Sequence, residues 1–345
     1  MKDIIVFTDI HYGNKRNSLE HNMDCDQFID WVIEQAKSKG ITRCAFLGDW
    51  HHNRHTINVE TLKYSFTGMY KLNEYFDDVY FIVGNHDMYY RESREVNSLI
   101  MADGLDNFTI IDKPTHVEDG DLLFMPWLIN EEWRDVKKMK AKYIFGHFEL
   151  PTFFLNTMIT MPDHGELKAE DFDSDCYVFS GHFHKRQNKN NIWYIGNAFP
   201  HTFDDTNDDD RGCMILGDNG MEFIKWDNAP KYRKYNYDDI VGKEDETFKG
   251  VSKIHAKLMY NSSQATPVKM NLYREMLKEK YDFRGIEIVD TANTIILTES
   301  EDNDSDGEAE DKVLEGIDMT VIKQIRKQES DEYDIELLVS LYEDL

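Results

Sequence analysis

The segment "DVYFIVGNHD", residues 78–87, decides the fold of this chain. Its apolar part is typical of a buried β-strand, and the polar group "GNHD" follows directly behind it. Asn, His and Asp are unfavourable within a strand, so a turn alone does not explain why all three stand there. The segment therefore predicts a buried strand with a candidate functional site at its carboxyl end.

The residues before this segment alternate between short apolar runs and longer amphipathic runs. Strands are predicted in "DIIVFTDIH" (3–11) and "TRCAFLGDW" (42–50), and helices in "CDQFIDWVIEQAKSKG" (25–40) and "VETLKYSFTGMYKLNEYF" (59–76). Strands that alternate with helices in this way pair in parallel through right-handed crossovers.

The second half of the chain has little helix between its apolar runs. Strands are predicted in "FTIID", "LLFMPW", "KYIFGHFEL", "CYVFSGHFH", "NIWYIGN" and "CMILGDNGMEFIKW". This pattern favours more antiparallel pairing, and the predicted fold class is α/β, with two packed sheets flanked by helices. Residues 251–297 then predict a strand, a helix and a strand, which form a small α/β unit.

The composition is that of a globular protein. The chain has 345 residues, 41% of them hydrophobic, which is enough for one large core and a smaller domain. Its apolar runs are too short to cross a membrane, and Asp3 and Asp9 interrupt the stretch where a signal peptide would be apolar. The four cysteines are scattered without a C-x-x-C pair, which indicates reduced cysteines. These features predict a protein of the cytoplasm with no membrane partner.

The formal net charge of −27 does not exclude a nucleic acid as a partner. Phosphate binding usually depends on Lys and Arg, but divalent cations held at one site attract phosphate whatever the average charge is. Part of the excess charge is also confined to "ESEDNDSDGEAED", residues 299–311, which has eight carboxylates and no basic residue. This run predicts a solvated linker.

Polar clusters follow five of the predicted strands. They are Asp9-Ile10-His11, Gly48-Asp49, Gly84-Asn85-His86-Asp87, Gly146-His147 and Gly181-His182-Phe183-His184. Ligands of α/β sheets bind outside the carboxyl ends of the strands, so we expect the five clusters to converge. Alternation along a strand would point residues i and i+2 the same way, as metal ligands require, and the glycines would allow sharp turns and close approach.

Each cluster alone has a simpler explanation. Asp9-x-His11 is compatible with a strand-end cap, and Gly48-Asp49 is a common turn pair. "GHFH" is compatible with a polar face that turns Phe183 into the core. All five clusters in one chain, each behind a strand, favour a common metal site instead.

This ordered set resembles the calcineurin-like metallophosphoesterase superfamily, in which a double-sheet sandwich carries a two-metal site. Further segments are similar to the SbcD-type nuclease subunit of the DNA double-strand-break repair complex, and especially to its phage recombination-nuclease branch. These segments are "GDWHH", and "YIGNAFPHTFDD" followed by "DDRG". The chain departs from that pattern at Asn197, where Ser is usual, and at His51, where an apolar residue is more common.

The resemblance implies a role for each residue of the clusters. One metal ion is held by Asp9, His11, Asp49 and His184, and the other by Asp49, Asn85, His147 and His182, so that Asp49 bridges them. Mixed carboxylate, amide and imidazole ligands suit Mn²⁺, Fe or Zn²⁺ better than Mg²⁺, and the family favours two Mn²⁺ ions.

The resemblance also implies catalytic histidines. His86 positions the phosphate and protonates the leaving sugar oxygen, and His52 is a second candidate for phosphate contact unless it is only a surface residue. Asp87 either orients His86 or caps a turn. Six further histidines are expected to be structural or exposed, namely His21, His55, His116, His164, His201 and His255.

The implied function is a Mn²⁺-dependent DNA exonuclease and endonuclease in double-strand-break repair, recombination and replication. Its implied partners are DNA and an SbcC-type coiled-coil ATPase, with two copies of the nuclease, as a homodimer, in a heterotetramer. The corresponding domains are a nuclease domain (1–243), a small α/β DNA-capping domain (244–298), an acidic linker (299–311) and a helical ATPase-binding segment (312–345).

Two features of the C-terminal third accompany this assignment. Apolar residues recur at helical spacing after residue 312, which predicts two helices that bind a partner or fold back. The small α/β unit is locally basic, which fits either DNA contact or a solvated helix face; the residues are Lys253, Lys257, Lys269, Arg274, Lys278, Lys280 and Arg284.

Two other functions stay open. The first is a metallophosphoesterase that acts on a small phosphodiester or on a phosphoprotein, although Ser/Thr phosphatases would show G-D-x-V-D-R-G and G-N-H-E instead of "GDWHHNR" and "GNHD". The second is a non-catalytic scaffold of the same fold, against which the complete set of ligand residues argues.

Overall fold

The computed structural model describes residues 2–117, 121–155, 159–218, 220–263 and 265–292. The predicted acidic linker and helical segment, residues 299–345, lie outside the described residues.

The strands are β1 (Ile4–Phe7), β2 (Arg43–Phe46), β3 (Asp78–Ile82), β4 (Met88–Tyr90), β5 (Ser93–Asn97), β6 (Phe108–Ile111), β7 (Thr115–Val117), β8 (Leu122–Met125), β9 (Tyr143–His147), β10 (Tyr177–Gly181), β11 (Gln187–Lys189), β12 (Ile192–Tyr194), β13 (Gly212–Gly217), β14 (Gly220–Lys225), β15 (Lys231–Asn236), β16 (Ile254–Tyr260) and β17 (Phe283–Asp290). The helices are α1 (Asn14–Asn17), α2 (Leu19–Lys39), α3 (Val59–Tyr75), α4 (Trp133–Val136), α5 (Tyr237–Ile240), α6 (Glu244–Phe248) and α7 (Pro267–Lys280).

The first sheet has the strand order β14-β13-β1-β2-β3-β6. Strands β1, β2, β3 and β6 pair in parallel, as the sequence predicts, and β13 and β14 add an antiparallel edge. Helix α2 begins six residues before the predicted start because Ser18 caps it, accepting a hydrogen bond from the His21 N–H. It ends at Gly40, whose left-handed conformation is the common helix terminator.

The second sheet has the order β11-β12-β10-β9-β8-β7. The prediction of two sheets is confirmed, and the predicted antiparallel pairing is correct for β13 and β14 of the first sheet. In the second sheet it holds only for the outer strands β7 and β11. Strands β8, β9, β10 and β12 are parallel, and among the described residues the segments that connect them contain no α-helix longer than the four residues of α4. Missing helices between strands were therefore a misleading signal for strand direction.

The core between the two sheets is built from alternate residues of the strands. In β1, Ile4 and Val6 pack against Phe124, Phe145 and other residues of the second sheet. The neighbouring residues of β1, Ile5 and Phe7, point to the opposite face and pack under α2 and α3. Both faces of β1 are buried. The position of this strand is therefore fixed by packing on both sides.

A three-stranded parallel sheet, β15-β16-β17, follows with α7 against it. The predicted strand, helix and strand of residues 251–297 are present within the described part. The sheet also includes β15, which precedes residue 244, and the predicted domain boundaries stay a prediction. Lys253 fastens this sheet to α2, because its Nζ lies 2.8 Å from Asp24 Oδ1 and 2.7 Å from Gln27 Oε1.

All four cysteines are buried and free, which fits the predicted reduced state. Among the described residues, the structure contains no helix with the length and apolar character that spanning a bilayer requires.

Candidate metal centre

The structure brings all seven predicted ligand residues together at one rim of the sandwich. Asp9 and His11 follow β1, Asp49 follows β2, Asn85 follows β3, and His147 ends β9. His182 and His184 follow β10. Ligand atoms of Asp9, His11 and Asp49 lie within 4.8 Å of one another, and so do those of Asp49, His147 and His182.

The Asp49 carboxylate lies between the two groups. Its Oδ2 is 3.7 Å from His11 Nε2 and 3.3 Å from His147 Nε2. Its Oδ1 accepts a hydrogen bond of 2.9 Å from the His86 N–H. One oxygen therefore faces both ligand groups while the other is held by the backbone.

In the first group, two imidazoles point at each other. His11 Nε2 and His184 Nε2 are 3.2 Å apart, and Asp9 Oδ1 lies 3.9 Å from the first and 4.0 Å from the second. His11 is almost fully buried, and burial and the neighbouring histidines lower its pKa well below the ordinary value. The ring is thus held neutral, which is the form that binds a metal ion.

In the second group, Asn85 Oδ1 lies 3.0 Å from His147 Nε2 and 3.2 Å from His182 Nδ1. The outer nitrogens of both rings have their own partners. His147 Nδ1 donates to the Leu47 carbonyl at 2.7 Å, and His182 Nε2 is 3.4 Å from Glu149 Oε1. These outer contacts orient both rings with one nitrogen toward the centre, as in many metal sites.

The donor atoms of the two groups fit two divalent cations. The Nδ1–H of His147 donates to the Leu47 carbonyl, so its Nε2 faces the oxygens of Asp49 and Asn85. Burial lowers the pKa of His147, but the Asp49 carboxylate outweighs this and raises it to about 9. A positive charge, here a proton, is therefore stabilised where the lone pairs converge.

The ligand side chains converge for a different reason than the predicted alternation along the strands. Asp9, His11, Asp49 and His182 all lie beyond their strands, with positive φ angles of 49°, 52°, 63° and 87°. The Asp9 N–H donates to Gly48 O and the His11 N–H to Asp49 O, at 3.0 and 3.1 Å. Left-handed backbone in two paired loops aims these side chains, and the alternation argument was wrong.

Two glycines allow the loops to approach this closely. A Cβ on Gly48 would overlap the His147 ring, and one on Gly84 would overlap the backbone and carboxylate of Asp49. Gly48 also has a φ of +106°, which side chains other than hydrogen rarely allow. The prediction that glycines permit close approach is correct at both positions.

Asp87, whose role the sequence left open, holds two of these loops together. Its buried carboxylate accepts four backbone N–H groups, from Asp49, Trp50, His51 and Gly84, at 2.9–3.1 Å. Burial and the Asp49 charge raise the pKa of Asp87 to about 7, and the N–H groups act in the opposite direction. Asp87 therefore positions the backbone of Asp49.

His86 and His52 stand beside the first group as a stacked pair. Their ring centroids are 5.5 Å apart, and each ring lies within 5.4 Å of the His11 ring. His86 Nδ1 donates to the His52 carbonyl at 2.7 Å, which leaves Nε2 as the position for a second, transferable proton. The structure therefore places both predicted catalytic histidines at the rim.

The two departures from the family pattern have structural explanations. His51 is fully buried. Its Nδ1 lies 2.8 Å from the Ser98 hydroxyl, and its Nε2 lies 2.8 Å from the Ser65 hydroxyl. The Asn197 amide oxygen accepts a hydrogen bond from buried Arg211. Neither side chain replaces a member of the two ligand groups.

Two residues near the centre were missed. Glu149, which contacts His182, could have been found from its position two residues after His147 in "GHFEL". His201 lies with His11 and His184 in a third group of ligand atoms within 4.8 Å, although it was expected to be structural or exposed. The sequence gives no signal for this histidine beyond its place in "FPHTF".

We expect Asp87→Asn to lower both stability and cation affinity. The amide keeps the shape but presents an NH₂ group to backbone N–H donors, and a buried unpaired donor costs about 1–3 kcal/mol. Denaturant unfolding and Mn²⁺ titration of the variant measure the two effects, with the exposed Asp106→Asn as the matched control. Wild-type values for both quantities would show that Asp87 does not position Asp49.

A family model described as calcineurin-like phosphoesterase matches residues 2–186, more than half of the chain. Exonuclease subunit 1 of Enterobacteria phage T4 is 31% identical over 218 residues, which cover 61% of this chain and 63% of that protein. The chain thus matches less than two thirds of that relative's length.

Solved structures align less closely. A nuclease named MPE from Pseudomonas putida aligns at 15% identity with a TM-score of 0.30, over 53% of this chain and 62% of that one. YfcE, a phosphoesterase from E. coli, aligns at 16% identity with a TM-score of 0.34, over 65% and 92%. The family model and the site together confirm the predicted fold class and superfamily. The chain belongs to the calcineurin-like phosphoesterase family.

Proposed function

We propose that this protein is a Mn²⁺-dependent DNA nuclease that hydrolyses phosphodiester bonds at DNA ends. The observation that carries the proposal is the position of Asp49, whose Oδ2 faces His11 on one side and His147 on the other. A carboxylate oxygen that lies between two ligand groups fits a bridged two-cation centre.

In this proposal the first cation is bound by Asp9, His11, Asp49 and His184, and the second by Asp49, Asn85, His147 and His182. When bound, the two cations supply the charge that neutralises the phosphodiester and lowers the pKa of a water. The donor set contains imidazole, carboxylate and amide groups without thiolate, which supports Mn²⁺ over Mg²⁺.

His86 is proposed to donate a proton to the leaving sugar oxygen. Its Nδ1–H is committed to the His52 carbonyl, so the proton that it transfers is carried on Nε2. The same carbonyl stabilises the charged ring. His52, stacked on His86, is proposed to contact the phosphate.

Two observations bear on DNA as the substrate. The phage T4 relative is named as an exonuclease subunit, which supports a nucleic acid. The basic residues of the small α/β unit give less support, because five of the seven are ion-paired: Lys253, Lys257, Arg274, Lys280 and Arg284. The DNA proposal therefore rests on the metal centre and the relative.

The proposed partner is an SbcC-type coiled-coil ATPase, in a heterotetramer with a homodimer of this chain. The word "subunit" in the name of the phage relative supports an assembly. The binding segment is proposed at residues 312–345, and the location of the assembly is the cytoplasm, or the host cytoplasm for a phage-encoded protein.

One assay tests the function against its alternatives. We expect Mn²⁺-dependent release of nucleotides from linear duplex DNA, and Asp49→Ala should reduce it to the level of a metal-free sample because both ligand groups lose their shared oxygen. The same preparation is tested on a small phosphodiester and on a phosphopeptide. If the protein hydrolyses one of these two substrates and leaves the DNA intact, that substrate is the correct alternative. If it hydrolyses none of the substrates although both cations are bound, the result supports a scaffold.

We expect His86→Ala to keep both cations but to lower kcat by about 100- to 10,000-fold, the usual range for a general acid. The loss should be much smaller on a phosphodiester whose leaving group is already a stable anion, since it needs no proton. His116→Ala, an exposed histidine on β7, is the control. An equal loss on both substrates, or a lost cation, would show that His86 is not the acid.

A chain that ends at Thr298 should keep Mn²⁺ nuclease activity but fail to co-purify with the ATPase, because the proposed binding segment is removed. Co-expression of each form with the ATPase, followed by purification of the complex, measures this. Full recovery of the ATPase with the truncated chain would place the binding surface elsewhere.

A further inference from the structure

His201 is a buried histidine without hydrogen bonds from its ring. It has no solvent exposure, and neither Nδ1 nor Nε2 has a hydrogen-bond partner among the described residues. A neutral imidazole carries one N–H and one lone pair, and leaving such a group unpaired in the interior costs about 1–3 kcal/mol. Buried polar groups are rarely unpaired, so this ring requires an explanation.

His51 shows how this chain treats a buried histidine that is only structural. Its ring is equally buried, and each of its nitrogens has a serine hydroxyl at 2.8 Å. His201 has no such hydroxyl, carbonyl or carboxylate within hydrogen-bond distance of its ring in the described chain. Its neighbours are the rings of Phe199, His21, His11 and His184, with centroids 4.9–5.6 Å away.

The position of His201 is fixed by the backbone around it. Its N–H donates to Asp205 Oδ2 at 2.7 Å, and the other oxygen of Asp205 lies 3.0 Å from the buried Arg211 guanidinium. The same segment contacts the metal centre directly, because the Ala198 N–H donates to the Asp9 carbonyl at 3.4 Å. The ring is therefore held against the first ligand group by several bonds.

Ligand nitrogens of His11, His184 and His201 lie within 4.8 Å of one another. We propose that His201 is a further ligand of the first cation, beside Asp9, His11, Asp49 and His184. This inference rests on the proposed two-cation centre but is independent of the substrate. A cation would satisfy the ring that the protein itself leaves unpaired.

The added ligand makes the two cation sites chemically unequal. The first site then has three imidazoles, and the second has two imidazoles with the Asn85 amide. Imidazole favours Zn²⁺, Cu²⁺ and Ni²⁺ more than oxygen ligands do, so the first site should discriminate more strongly in favour of Zn²⁺ over Mn²⁺. The competing arrangement is an ordered water between His201 and the unpartnered Nδ1 atoms of His21 and His11.

Titration of the full-length chain with Mn²⁺ and with Zn²⁺ tests the assignment. His201→Phe keeps an aromatic ring and removes both nitrogens, and His255→Phe, a histidine stacked on Tyr232, is the matched control. We expect two cations in the wild type and in the control. His201→Phe should bind one of them at least about tenfold more weakly, with a larger loss for Zn²⁺ than for Mn²⁺.

A crystal structure of the Zn²⁺-loaded wild type gives a second measurement that does not depend on the folding of a variant. A nitrogen of His201 at about 2.0–2.1 Å from the first ion would confirm it as a ligand. A water between the ring and the ion, or unchanged affinities in a folded His201→Phe, would overturn the inference and leave the two-cation centre intact. Failure of the wild type to bind any cation would instead overturn the proposed function.

Discussion

The buried carboxylate of Asp87 is the contact on which the metal centre depends. It joins the loop after β3 to the loop after β2 by accepting four backbone N–H groups, and the loop after β2 in turn pairs with the loop after β1. Three of the five clusters are therefore fixed through one side chain that is not a ligand. A hydrogen bond contributes about 0.5–1.5 kcal/mol, and more where the acceptor is charged, while each non-glycine residue in the left-handed region costs on the order of 1–2 kcal/mol. The bonds to Asp87 thus stabilise a backbone conformation that the ligand residues would not adopt alone.

This constraint explains which parts of the site could be predicted from sequence. The convergence of the clusters was predictable, because β1, β2 and β3 alternate with helices and parallel strands end at the same rim. The orientation of the side chains could not be predicted. It depends on positive φ angles at Asp9 and His11, which hydrogen bonds between distant loops impose. Asp87 was identified as a polar residue of "GNHD", but the four N–H groups that it accepts come mainly from residues 49–51, which only the fold brings near.

The fold also divides into features that the sequence predicts and features that it does not. Periodicity predicted α3 and the N-terminal strands closely, because each is a local pattern of apolar residues. The direction of β8, β9 and β10 was mispredicted, since the segments that connect them carry no periodic signal of a crossover helix. His201 could not be predicted at all, because the absence of a hydrogen-bond partner for its ring among the described residues is a property of the packed interior and not of the neighbouring sequence.

The distribution of charge links the centre to substrate binding. Asp9 and Asp49 place two carboxylates in the interior of a chain whose net charge is −27, which is unfavourable for an anionic phosphodiester at the cation-free rim. Two basic residues of the three-stranded sheet do not offset this charge, since Lys253 and Arg284 are paired with Asp24 and attach the sheet to α2. Bound divalent cations would supply attraction for phosphate at the rim, because they make such a site locally positive whatever the net charge of the chain is.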